Sequence, residues 1–206
     1  ANSTDGGVTW SKVTQLTTLN TAGRNYNNPS IQVPTTGYPV IVYGFADTSA
    51  NQIVFHNWTG STWGAGTIYS GGTYVQSKPT VAVDKDDVIH VAWQGKDATD
   101  TTADYIRYAN STDGGVTWSA MQKLVIGQNS SITTDRYGHI LIVYENAGST
   151  YYIKSINNGS TWSTAILIST GTNPSSLDDN YLVYTIPPTV QMGSSNVKFN
   201  SNSAEL

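Results

Sequence analysis

Polar and apolar positions alternate along this chain in short runs, and the runs recur in one order. Pro29-Ser30-Ile31-Gln32-Val33 alternates strictly, and Val40-Ile41-Val42-Tyr43 forms an apolar block within residues 38–45. The pair returns at 79–83 and 88–93, at 131–133 and 139–144, and at 174–177 and 181–186. Alternation with a period of two predicts half-buried strands, and a short apolar block bounded by turn residues predicts a strand buried on both faces. Further runs follow in each unit: 52–56, 105–108 and 151–156, then 66–69, 121–125 and 165–168. Each unit therefore reads as four antiparallel strands. The polar stretches 20–28 and 96–103 read as loops, and residues 13–17 as a strand with nothing before it.

One turn punctuates the units. Residues 1–11 and 109–119 are the same sequence, ANSTDGGVTWS, and looser copies stand at 57–63 and 157–162. A repeat at a spacing of roughly fifty residues marks a repeated supersecondary unit. Each residue of the turn has a physical task. Asp5 and Asp113 accept backbone N–H groups in the manner of an Asx-turn. Gly6, Gly7, Gly114 and Gly115 permit positive φ. Trp10, Trp63, Trp118 and Trp162 open the following strand with a large apolar face and one N–H to satisfy.

This turn resembles the Asp-box, S-x-D-G-G-x-T-W, of sialidases and related BNR-repeat β-propellers. Two copies match it fully, and two lack the Asp but keep the Gly and the Thr-Trp. The resemblance implies an all-β propeller in which the motif marks a hairpin at the outer edge of each blade, away from the active site. It covers the blade repeats only.

The repeats predict a single domain over residues 1–206, with four blades of four antiparallel strands at about 29–70, 79–126, 130–168, and 174–199 plus 1–18. The fourth unit has no turn copy and no last strand, whereas the N-terminus has both. Val197-Lys198-Phe199 matches Ile106-Arg107-Tyr108 in type, so the N-terminal strand is expected to close the last blade. Such closure removes exposed edges. The alternatives are a fragment of a longer propeller, or an N-terminal strand that completes a neighbouring subunit and gives an oligomer.

Composition narrows the function classes. Charged residues make up 12% of the 206, about half the usual share. Glu145 and Glu205 are the sole glutamates, so helix formers are scarce. A net charge of −4 gives no basic patch for nucleic acid. There is no cysteine, and no apolar run long enough to span a membrane. The Ser/Thr/Asn-rich, weakly charged surface suits an extracellular protein or a virion-surface protein.

The resemblance to sialidases implies three arginines on a sugar carboxylate, a Tyr/Glu nucleophile pair and an acid/base Asp. This chain departs from that pattern. Its three arginines are Arg24, Arg107 and Arg136, none in an Arg-Ile-Pro segment. Tyr144 and Glu145 are neighbours, so on a strand they point to opposite faces. General glycoside hydrolysis needs a pair of carboxylates across one bond, and Asp47, Asp97, Asp100, Asp104 and Glu145 are candidates. Asp84, Asp86, Asp87, Asp178 and Asp179 sit in equivalent turns and could offer oxygens to calcium; otherwise no cofactor or metal is expected. The leading reading is a non-enzymatic structural or adhesive propeller that engages glycans. Tyr43, Trp93 and Tyr144, with Ile186, are placed as equivalent positions at the end of strand two, and join Glu145 and Arg107 as candidate ligand-binding residues. Their plainer reading is packing between blades. The second reading is a sialidase-like glycoside hydrolase, and the third a self-assembling surface subunit.

Overall fold

The computed structural model describes residues 1–17, 23–177 and 181–185. The described chain is all-β. Blade 1 is β1 (Asn25–Gln32), β2 (Val40–Ala46), β3 (Asn51–Trp58) and β4 (Trp63–Ser70). Blade 2 is β5 (Gln76–Val83), β6 (Ile89–Asp97), β7 (Asp100–Ser111) and β8 (Gln122–Ile126). Blade 3 is β9 (Gln128–Thr134), β10 (Ile140–Asn146), β11 (Ser149–Ser155) and β12 (Ile166–Thr170). A fourth sheet holds β13 (Thr172–Leu177) and β14 (Tyr181–Thr185). Each sheet is an antiparallel meander in chain order. The first strands β1, β5, β9 and β13 pack successively against one another and form the inner wall.

The core lies between blades. One apolar cluster joins Val40, Val42, Ile53 and Phe55 of blade 1 to Val81, Val91 and Trp93 of blade 2. A second joins Ala92, Ile106 and Tyr108 of blade 2 to Ile132, Ile142 and Tyr144 of blade 3. Alternation explains the division: Trp93 and Val91 leave one face of β6, Ala92 the other. Both faces of β6 and β10 are largely covered, which is why 88–93 and 139–144 read as near-continuous apolar runs.

The turn between third and fourth strand locks each blade onto the one before. In blade 2, Asp113 accepts the Thr117 N–H at 2.8 Å and its hydroxyl at 2.6 Å. Those bonds hold the Asp113 carboxyl down to about 2, the Thr117 hydroxyl contributing most. Ser111 Oγ accepts the Gly115 N–H at 2.9 Å. Trp118 stands edge-on to Phe55 of blade 1 at 5.3 Å, and Trp162 edge-on to Tyr108 of blade 2 at 5.0 Å. The Asn57 amide donates across the same seam to Gly114 O, and Asn110 to Asn158 O.

The N-terminal copy forms the same turn, with no blade beneath it among the described residues. Asp5 accepts Thr9 N–H at 2.9 Å, and the Trp10 ring N–H donates to Gly7 O at 3.1 Å. Trp10 is 65% exposed. The strand expected at 13–17 is not formed: residues 11–16 have no regular structure. The expected pairing of that strand with 197–199 lies outside the described residues. Leu16 nevertheless touches blade 1, its carbonyl accepting from the His56 ring.

The loop expected over 96–103 is instead a tight hairpin, because β6 runs to Asp97 and β7 starts at Asp100. Asp97 Oδ1 caps it, accepting the Thr99 N–H at 2.9 Å and the Asp100 N–H at 3.0 Å. An Asx-turn of this kind satisfies the corner with no glycine.

Candidate axial binding site

The inner strands share one irregularity. Pairing shifts between Asn27 and Ser30 in β1, between Ser77 and Thr80 in β5, and between Thr172 and Ser175 in β13. In β9 it shifts between Gln128 and Ser131, opposite Glu145 and Val143. The residue inside the bulge is left-handed in blades 1 to 3: Asn28 at 50°, Lys78 at 51° and Asn129 at 52°. A bulge leaves one residue unpaired and re-aims its side chain. These three bulges line a single cavity of about 380 Å³, formed by residues 28–30, 78–80 and 129–130.

The open cavity wall mixes polar and apolar surface and is cross-linked by hydrogen bonds. Lys78 Nζ donates to Asn129 Oδ1. Asn129 Nδ2 donates to Glu145 Oε2 at 2.7 Å, and the Asn129 N–H donates to Gln94 Oε1 at 2.8 Å. A cation, an amide and a buried carboxylate thus form one chain, with Glu145 4% exposed. Ser30 Oγ accepts the Val81 N–H at 3.3 Å. The buried Ser130 hydroxyl has no hydrogen-bond partner. Pro29 and Pro79 add apolar surface. A concave site with a few fixed polar groups and some apolar wall suits a small polar ligand.

The residues singled out from the sequence fall elsewhere, except Glu145. Trp93 is fully buried between blades 1 and 2, its ring N–H donating to Gln76 Oε1 at 2.9 Å. Tyr144 is buried between blades 2 and 3, and desolvation pushes its hydroxyl up to about 12. Tyr43 packs beside Tyr26 and bonds His56 Nδ1 through its hydroxyl at 3.0 Å. Tyr43, Trp93 and Tyr144 are register equivalents, each one residue beyond the partner of Ser30, Thr80 or Ser131. In the fourth sheet Ser175 pairs with Val183, so Tyr184 holds that position; Ile186, expected there, lies outside the described residues.

Arg107 is a buried clamp. Its Nε donates to Gly95 O at 3.1 Å and its NH2 to Asp97 Oδ2 at 2.7 Å. Asp97 is held well below the usual carboxylate range, by the Thr99 hydroxyl first and Arg107 second. Asp84 is spent on its own turn, accepting the Asp86 and Val88 N–H groups at 2.9 Å and contacting His90 Nε2 at 3.3 Å. No cluster of three metal-ligating side chains occurs among the described residues. Asp178 and Asp179 lie outside them.

Asn28, Lys78, Asn129 and Ser130 were missed because each precedes or opens a strand and reads as loop punctuation. A signal was present. Asn28-Pro-Ser30, Lys78-Pro-Thr80, Asn129-Ser-Ser131 and Asn173-Pro-Ser175 are one recurring triplet at the start of every first strand.

The architecture is that of a sialidase-like β-propeller. Solved structures similar to it include the Hadza microbial sialidase Hz136, with a TM-score of 0.57 at 19% identity over 73% of this chain and 39% of that one. A Trypanosoma rangeli sialidase in complex with sialic acid gives 0.55 at 13% identity, over 77% of this chain and 33% of that one. A Dyadobacter fermentans protein of unknown function gives 0.56 at 17%, over 77% of this chain and 59% of that one. At these identities the likeness is one of fold. The chain spans between 33% and 59% of the length of these structures. No family model matches the chain, and no curated protein does.

Proposed function

We propose that this chain is a glycan-binding β-propeller without hydrolytic activity, taking its ligand in the axial cavity. The observation that carries the reading is the convergence of three equivalent bulges on one cavity. They present Lys78 and the side chains of Asn28 and Asn129. Sugars offer alternating donors and acceptors that such groups match, with the prolines against their apolar faces. The fold relatives include sialidases, one of them solved with sialic acid, which supports a glycan over another polar ligand.

Binding is favoured over cleavage by what lines the cavity. Its described lining holds no carboxylate, and Glu145 behind it is engaged by Asn129 and Gln128. Glycoside cleavage in the usual manner wants two carboxylates facing one bond. The proposed binding uses only the chain's own groups. The weakly charged, Ser/Thr/Asn-rich composition supports work outside cells or on a virion surface.

The test is a glycan array followed by titration of any hit. Loss of binding in Lys78→Ala with an unchanged far-UV spectrum supports the axial site. Binding that survives Lys78→Ala and Asn129→Ala moves the site elsewhere. Turnover of a fluorogenic sialoside that disappears in Glu145→Gln would replace the reading with that of a glycoside hydrolase.

A further inference from the structure

Equivalent positions in the three complete blades are not equally covered. Ile31, Val81 and Ile132 share one register position, paired with Ile41, Val91 and Ile142. Val81 is 3% exposed and Ile132 6%, each buried under the preceding blade, whereas Ile31 is 58% exposed. Val33 is 57% exposed, and its equivalent Thr134 is 9%. Blade 1 therefore presents, open to solvent, the face that blades 2 and 3 bury.

The repeated interface shows what fits such a face. In both buried instances the cover is the opposite face of another blade, built on Val42 or Ala92 at the partner position of the inner-strand bulge. The fourth sheet carries Val183 at that register position. Its described strands are a first and a second strand only. The receiving end carries a turn of the kind that joins a third strand to a fourth. Residues 1–11 form a complete turn copy with an exposed Trp10. Leu16 lies as far beyond Trp10 as Leu124 lies beyond Trp118, and Leu124 packs into the seam between blades 2 and 3. The Leu16 carbonyl accepts from the His56 ring of blade 1.

Within this chain β13 packs against β9, β10 and β11, and Ile31 and Val33 stay exposed. We infer that the open face of blade 1 is a docking surface for the β13–β14 sheet of a second copy, whose blade the N-terminal turn and segment 12–17 then complete. The contact is heterologous, so it propagates head to tail into a closed ring or a filament.

The chain contains no cysteine, so Ile31→Cys gives a single thiol reporter on this face. Val116→Cys, at a position 79% exposed on a turn, is the reference. Sedimentation velocity and maleimide labelling are followed together from about 1 μM to about 1 mM, the range of weak specific association. The expected result is assembly that grows with concentration, with labelling of the Ile31→Cys variant lost in step and labelling of the Val116→Cys variant unchanged. Ile31→Glu and, separately, Val33→Glu abolish the assembly while the far-UV and near-UV spectra stay native. Three results overturn the inference. One is a monomer throughout, with the face thiol labelled as fast as the reference thiol. Another is a monomer throughout with the face thiol protected, which gives the face to the chain's own fourth sheet. The third is assembly that both Glu variants leave intact.

Discussion

The ring of Tyr108 occupies the space that a side chain on Gly159 would need. A Cβ on Gly159 would meet the Tyr108 ring and hydroxyl, and Gly159 sits at φ +78°. Gly115 stands in the same relation to Phe55, with a Cβ only 2.5 Å from the ring. Gly7, the third copy, has φ +91° and its nearest neighbour at 4.0 Å. Gly159→Ala and Gly115→Ala therefore combine left-handed strain with overpacking. Each is expected to destabilise by about 2–5 kcal/mol, adding roughly 1–2 for the backbone to 1–3 for the crowding. Gly7→Ala carries the backbone part alone, about 1–2 kcal/mol. Urea unfolding of the three variants checks the order; equal losses at all three would remove the seam from the explanation.

Ser130→Ala should stabilise the fold. The hydroxyl is buried without a partner among the described residues, so its removal deletes no internal hydrogen bond and relieves the cost of an unsatisfied buried group, about 1–3 kcal/mol. Thermal unfolding measures the gain; an unchanged or lower midpoint would mean that the hydroxyl is already satisfied.

Acid should weaken the fold by forcing charge onto buried histidines. His90 is fully buried between Tyr108 OH, at 2.7 Å from Nδ1, and Asp84. Desolvation lowers its pKa from the ordinary 6.5, although Asp84 pulls the other way, and His56 is lowered too. A histidine with a depressed folded pKa binds fewer protons folded than unfolded. Stability is thus full above about pH 6.5 and is lost as pH falls below it, with a limiting slope of about 1.4 kcal/mol per pH unit per group. Unfolding free energies from pH 7.5 to 5 should show this slope, and His90→Gln should reduce it. An unchanged slope in that variant would assign the effect to other groups.

Arg107→Met should act on stability and leave the axial cavity alone. The buried guanidinium holds Gly95 O and Asp97 together. Leaving that carbonyl unpaired costs about 1–3 kcal/mol. Lys123, 3.3 Å from Asp97, keeps part of the charge pairing. The expected readout is a lower unfolding midpoint with glycan affinity unaltered.

The blades were legible because two signals agreed: apolar blocks where a strand is covered on both sides, and a turn whose Asp and Gly have local tasks. Asp113 and Thr117 satisfy each other within the turn, so the motif is readable without its surroundings. The axial site was less legible for the opposite reason. Lys78 at positive φ breaks the habit that reserves that region for Gly and Asn, and only the shifted pairing around it shows why it is there. The aromatic ends of the second strands drew attention by chemistry, and the seam between blades, invisible in any single strand, buries Trp93 and Tyr144. The corner at Asp97 read as a loop because its Thr/Ala/Asp letters are those of loops, while Arg107, ten residues away in sequence, pins it.

The inner-strand bulges have a consequence for how such a protein can change. Asn28, Lys78 and Asn129 hold one backbone pose with two kinds of side chain, and none of the three belongs to the apolar clusters between blades. Selection can therefore rewrite what the axis recognises one blade at a time, as a lock is re-pinned without recasting its cylinder.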